Sequence, residues 1–358
     1  MRLNNLLKSK FFLDFTKLSS SGAFGQLLFI SFSPIFTRIY NPEQFAQFAI
    51  FTSLVAVFYP LFSGRYEFAI VTAKNESQTN KIFNLTISLI IISIFVSSIL
   101  IFFLSNLNSS ILNLKSLKLL IYLIPFGIAS QTFYNTLKLV ASRYQKFSIV
   151  SKSILLNALT RVCLCIGFGF FANNLNGLVI TSVLSILITS VFLFNKLNLK
   201  IEFNKIKDLK SSIITAKRFW RYPIYNSVPA VIDNITGELP VFIISMIYSS
   251  NDLANYAIIS TIFISPLVLF STALSQVNFS NTSLKVRNNR LIFQDVKNLL
   301  LVLLIFIGIP SLLLFFYAPT LVPLIFGKQW NDAAIYLQIL IPSFFIKIVA
   351  STLSTTLI

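Results

Sequence analysis

Apolar residues along this chain come in runs of about twenty, each closed by a short polar stretch, a pattern that suits helices crossing a bilayer. Ten such runs stand out, at roughly 18–37, 45–64, 82–104, 117–137, 149–171, 175–194, 222–248, 254–279, 298–317 and 335–357. At 1.5 Å per residue each is long enough to cover the hydrocarbon layer. The stretches between them are mostly under about twenty residues, and the longest on the outer side, 318–334, has about seventeen. The pattern therefore predicts an all-α polytopic membrane protein of about ten transmembrane helices with no separate soluble domain.

Composition agrees, since 55% of the 358 residues are hydrophobic, 11% are charged and 38 are Phe. The formal charge of +18 raises the question of nucleic acid, and the placement of the 29 Lys and Arg answers it. With the N-terminus inside, 23 of them fall in the inner segments and four (Arg38, Lys115, Lys118 and Lys328) in the outer loops. This is the positive-inside bias of a membrane protein, and no nucleic-acid partner is expected. The remaining two, Arg161 and Lys347, lie within spans. The basic start (Arg2, Lys8, Lys10, Lys17) leads into an apolar run too long for a signal-peptide core, which reads as a retained first helix. Cys163 and Cys165 lie two apart in an apolar run, on different helix faces, and read as small buried residues rather than a metal site or disulfide. Trp220 and Trp330 sit beside span ends, where interfacial anchors are expected.

An internal repeat is visible. IYNPEQFAQFAIFTSL (39–54) aligns without gaps on IYSSNDLANYAIISTI (247–262), an offset of 208 with five identities, and LIP recurs, ending at Pro125 and Pro342. Each copy of the longer match leaves one span, passes an outer loop and enters the next, with six helices between the copies. Two halves of parallel orientation follow, a six-helix N-terminal lobe at 1–205 and a C-terminal lobe at 206–358. The second half shows four of its six helices, an incomplete version of a 12-helix two-lobe transporter; a full twin needs roughly 60 more residues.

Four segments, LSSSGAFGQL (18–27), PIFTRIYNPEQFAQFA (34–49), GRYEFAIVTAK (64–74) and LIFGKQWNDAAIYLQILIP (324–342), carry a resemblance over nearly the whole chain. Together they resemble the Wzx-type polysaccharide flippases of the superfamily that also holds MATE exporters and the lipid II flippase. That resemblance implies two lobes around a cavity that opens alternately to either side. It implies transport of a polyprenyl-pyrophosphate-linked oligosaccharide across the bacterial inner membrane, for O-antigen, capsule or exopolysaccharide. Membrane lipids, a polysaccharide polymerase and a chain-length regulator are the partners it implies, and it implies no cofactor.

Ionisable side chains at mid-bilayer cost about 2.5–3.5 kcal/mol to insert, so those present are candidate functional groups. Arg161, with Asn157 one turn earlier on the same face, offers bidentate hydrogen bonds to a pyrophosphate; a structural ion pair is the alternative. Lys347, ten or more residues from either end of its run, is a second candidate cavity cation. The seventh run, YPIYNSVPAVIDNITGELPVFII, holds Asp233, Asn234 and Glu238 among prolines and Gly237, so a bent or broken helix is expected there. Asp233 is a candidate for proton or Na⁺ binding, or for neutralising Arg161. Arg38 with Glu43, and Arg65 with Glu67, flank loops at the membrane surface and are gate candidates; loop capping and topology are the plainer reading.

Several chemistries are excluded. No GxxxxGKS or GxxxxGKT phosphate loop occurs, and with no histidine no Ser/His or Cys/His dyad forms, so the chain is not expected to be an enzyme. A MATE-like small-molecule exporter and a membrane polysaccharide polymerase or ligase remain the rivals. The first should favour carboxylates over cations in its cavity, and the second should carry a large outer loop.

Overall fold

In a computed structural model the described residues are 10–106, 111–171, 176–199, 209–264, 297, 300–301 and 303–354. They form α1 (Lys10–Ile39), α2 (Pro42–Ser63), the short α3 (Phe68–Thr72), α4 (Glu76–Asn106) and α5 (Ile124–Arg143), the last preceded by a 3₁₀ stretch Ile111–Leu123. Then come α6 (Phe147–Phe171), α7 (Gly177–Leu197), α8 (Leu209–Arg218), α9 (Val228–Ile247), α10 (Ser250–Ile259), α11 (Ile309–Phe326) and α12 (Ala333–Ser354). Among the described residues eight helical stretches are long and apolar enough to cross a membrane. The chain is a multi-pass membrane protein.

Helices are the form this sequence must take in lipid, because each backbone N–H and C=O needs a partner within its own segment. The hydroxyls buried in the spans follow the same rule and donate back along their own helix. Thr86 donates to the carbonyl of Phe83 at 2.7 Å, Ser93 to Ile90 at 2.7 Å and Thr136 to Thr132 at 2.9 Å. Apolar side chains such as Phe95, Phe102, Phe103 and Phe171 are exposed, as hydrocarbon-facing surface is in a membrane protein.

The predicted boundaries shift at several places. The ninth run is expected at 298–317, but α11 runs to Phe326, through Pro319 and Pro323, and ends where Gly327 takes φ +100°. Pro has the right φ for a helix and its lost hydrogen bond is tolerated in a span, so the two prolines do not stop it. The seventeen-residue outer loop therefore shrinks to a tight turn holding a 3₁₀ stretch at Lys328–Trp330. Trp330 in that turn is fully buried, and its Nε1–H donates to the Thr37 carbonyl at 3.2 Å; it is a packing residue, not an exposed anchor. Trp220 is half exposed. The break expected in the seventh run sits at its start, as a π-helical turn at Pro223–Ser227, after which α9 continues through Gly237 and Pro240. Of the eighth run, only 254–264 falls within the described residues.

The repeat at offset 208 is reproduced in the backbone. α1 ends at Ile39 and α2 starts at Pro42; α9 ends at Ile247 and α10 starts at Ser250. In both copies the amide of the repeat lies inside, Gln47 nearly buried and Asn255 fully so.

Contacts divide the chain into two units, 1–25 with 43–253, and 26–42 with 254–358. In the first, α4 packs on α5, α5 on α7 and α6 on α7. Gln47 ties this bundle together at one end: it donates to the Ser116 carbonyl at 2.8 Å and accepts from Asn176 at 3.0 Å, while the same Asn176 caps α7 through the Leu178 N–H. In the second unit α11 packs on α12, and Gln26 reaches the Thr261 carbonyl at 3.5 Å.

Candidate functional site

Among the described residues of the first unit, two cavities hold candidate functional groups. The inner one, of about 290 Å³, is walled by α2, α5, α6 and α7 and is lined by Arg161, Asn157, Tyr59, Gln131, Ser182 and Ser185 among others. α2 and α5 come close here because α5 presents Gly127, where a Cβ would sit 2.8 Å from Val55 Cγ2 and 3.0 Å from Phe51 Cζ. Arg161 lies over the Phe48 ring, 5.3 Å from its centroid, a favourable site for a guanidinium in an apolar bundle. Asn157 donates to Thr189 Oγ1 at 3.3 Å and so is held on the α7 side. A largely apolar cavity with a guanidinium in its wall can hold an anionic group, and its few hydroxyls and amides can take further hydrogen bonds.

The outer cavity, of about 320 Å³, opens at the end of the bundle where α2 and α5 finish and α4 and α6 begin. Gly64 and Arg65 take φ of +56° and +53°, a left-handed pair that turns the chain sharply after α2. Ser63 Oγ accepts the Arg65 N–H at 3.0 Å and holds the turn. Arg65 then donates from Nη2 to the Tyr59 hydroxyl at 3.2 Å, with its guanidinium 5.1 Å from the Phe68 ring centroid. Glu67 is 1% exposed, its Oε1 accepts from Ser63 at 3.4 Å, and its Oε2 has no hydrogen-bond partner. Burial pushes the Glu67 carboxyl up to about 7, against the lowering effects of a backbone hydrogen bond, the Arg65 charge and the Ser63 hydroxyl. Lys138 and Asn135 of α5 complete the polar wall, and Tyr59 lines both cavities.

The other candidates fall elsewhere. Asp233 is exposed on α9 and is not among the residues lining either cavity. Asn234 donates to the Ala56 carbonyl at 2.6 Å, and Glu238 accepts from Ser53 at 2.5 Å, so both bind α9 to α2. Lys347 is exposed on α12, in the second unit. Arg38 donates to its own helix at the Pro34 carbonyl, and Glu43 meets Lys118 at 3.5 Å. Among the described residues Arg65 and Glu67 form no ion pair.

Tyr59, Gln131 and Lys138 do not stand out in the sequence. Lys138 counts there only as one more inner-loop charge, and Tyr59 and Gln131 look like ordinary members of apolar runs. Polar residues on α5 at Gln131, Asn135 and Lys138, four and then three residues apart, are the signal that marks one polar stripe.

Comparison with known proteins adds the lineage. Residues 35–335 match the family model described as polysaccharide biosynthesis protein. No curated protein matches. Among solved structures, the chain is similar to a point mutant of VcmN, a MATE transporter of Vibrio cholerae, with a TM-score of 0.52 at 13% identity, covering 96% of this chain and 84% of that one. A point mutant of a MATE protein gives a TM-score of 0.48 at 14% identity, covering 98% and 84%. The first of these shows the MATE-like transporter fold, and the family is one of membrane flippases and exporters. With the family model matching most of its length, the chain belongs to the polysaccharide biosynthesis protein family, on the Wzx-type branch that its sequence motifs resemble.

Proposed function

We propose that this protein moves a polyprenyl-pyrophosphate-linked oligosaccharide across the bacterial inner membrane by alternating access, with its N-terminus in the cytoplasm. The observation that carries the reading is Arg161 in the wall of the inner cavity, beside Asn157, Gln131 and Ser182. The pyrophosphate is the one group shared by all such substrates, and a guanidinium in an apolar bundle is suited to it. Membership of a polysaccharide family supports the sugar-lipid class over small cations. The excess of inner-segment Lys and Arg supports the cytoplasmic N-terminus. Within this reading the lobes are 1–205 and 206–358, Lys347 supplies a cation from the second, and O-antigen or capsule assembly is the process served.

The test is complementation of a flippase-deleted strain that makes the cognate lipid-linked sugar, read by blotting surface polysaccharide. The wild-type chain should restore it, Arg161→Ala should lower it at least tenfold at equal membrane level, and Arg161→Lys should keep part of it. If the membrane-inserted wild-type chain restores nothing, the reading fails; efflux of small cations by the same cells would then favour an exporter.

A further inference from the structure

The outer cavity is not the place where Arg161 lies, and nothing above gives it a ligand. Two cations, Arg65 and Lys138, share its wall with one carboxylate, Glu67, that is almost wholly buried and half unsatisfied. Arg65 also has its Nε–H buried without a partner, while its Nη2 is held by Tyr59. Buried polar atoms are satisfied in most structures; the orphan Arg65 N–H calls for an acceptor, and the orphan Glu67 oxygen can be met by that same acceptor once it carries a proton.

We propose that this cavity binds a phosphate-class oxyanion between Arg65 and Lys138, and that the anion enters together with a proton on Glu67. The charges argue for the second half. With Glu67 ionised the wall carries a net single positive charge and places a carboxylate against the incoming anion. With Glu67 protonated it carries two positive charges, which match a dianion, and the acid O–H becomes a donor to it. A buried carboxyl that already holds its proton near neutral pH is suited to this, as burial of Glu67 provides.

Among the described residues no other acid lines this cavity. On the same turn are Arg65 and Tyr66; on α2 is Tyr59; on α5 are Tyr134, Lys138 and Arg143. Lys146 precedes Phe147 of the wall, Lys17 precedes Leu18, and Tyr222 meets Thr72 at 2.6 Å. On α4, which packs against α3, the charged groups nearest its start are Glu76 and Lys81, both exposed. Glu67 is the acid of this wall, and the Glu67→Gln variant separates its titration from that of the basic groups beside it.

The proposal rests on this cavity alone, so it can stand or fall apart from the identity of the transported molecule. The first probe is sulfate, which keeps its charge between pH 6 and 8, so that any pH dependence belongs to the protein. Binding to the purified full chain in phosphatidylcholine nanodiscs should weaken by about tenfold from pH 6 to pH 8. Glu67→Gln should bind at pH 8 as at pH 6, Arg65→Lys with Lys138→Met should lose binding, and exposed Lys152→Gln should leave it unchanged. Monodispersity and unfolding temperature of each sample separate lost binding from lost fold. Retained binding in the Arg65/Lys138 double variant, a pH dependence that survives in Glu67→Gln, or absence of binding at pH 6 overturns the proposal. Farnesyl diphosphate, inorganic pyrophosphate and phosphatidylglycerol nanodiscs then identify the source. Tighter binding of the prenylated form assigns the site to a lipid-linked diphosphate, equal binding to a free anion, and competition by phosphatidylglycerol to a membrane headgroup.

Discussion

Ser53, buried in the middle of α2, donates its hydroxyl to Glu238 Oε2 on α9 at 2.5 Å. The contact is one rung of three: Ser227 donates to the Pro60 carbonyl at 2.5 Å and Asn234 to the Ala56 carbonyl at 2.6 Å. Positions 227, 234 and 238 share one face of a helical ladder, and 60, 56 and 53 face them in reverse order, so the two helices run antiparallel along a polar seam. A double-mutant cycle with Ser53→Ala and Glu238→Gln should therefore give a coupling of about 1–2 kcal/mol in detergent unfolding, more than a neutral hydroxyl pair in a membrane. Additive effects would mean that the seam is not a unit.

Glu67 predicts a pH dependence whose sign follows from burial. Its carboxyl is raised from 4.5 to about 7, so below pH 4.5 it is protonated in both folded and unfolded chains. As pH rises toward 7 the unfolded chain releases the proton while the folded chain retains it, and stability falls; above 7 both are ionised and the loss is complete. The total is on the order of 3 kcal/mol. Unfolding measured from pH 5 to pH 8 should show this loss in the wild type and a flatter profile in Glu67→Gln.

Gly127 allows α5 to meet α2 at the inner cavity. Gly127→Ala should destabilise by about 1–3 kcal/mol, since its Cβ falls within 3.0 Å of Val55 and Phe51 side chains. Adding Val55→Ala removes the nearer contact and should recover part of the loss, as read by thermal unfolding of the single and double variants.

Arg143 at the end of α5 donates from Nη1 to the carbonyls of Ile70, Val71 and Ala73 at 3.0, 3.3 and 2.7 Å. It caps the end of the short α3 with a full positive charge, sharing the Ile70 carbonyl with the Ala73 N–H. Arg143→Gln should leave the spans intact but raise the rate of proteolysis within 64–75 severalfold; an unchanged rate would mean that α3 holds by packing alone.

Much of the architecture was legible in residue order because lipid imposes it. A run of twenty apolar residues has to be a helix in lipid, and among the described residues eight such helical stretches stand where the runs predict them. The repeat was legible too, since the turns after Ile39 and Ile247 fall at one offset of 208 in sequence and in backbone. The pairing of Asn157 with Arg161 followed from helical spacing, and both line the inner cavity.

Hydropathy and spacing place a side chain on a helix and on one of its faces; they do not say what that face meets. Asp233, Asn234 and Glu238 sit within six residues of one run, yet Asp233 is exposed while Asn234 and Glu238 are bonded to α2. Trp330 reads as an anchor from its position and is buried because the turn after Gly327 folds it onto Thr37. Glu67 reads as a loop charge, and only the packing of α2, α3 and α5 around it removes its water. Residue order alone determined the helices and marked the repeated turn after Ile39 and Ile247, since helix formation in lipid depends on local free energies of transfer. Which polar groups were left together, and which of them unsatisfied, was decided by contacts between residues far apart in the chain, and these exist only once the helices have packed.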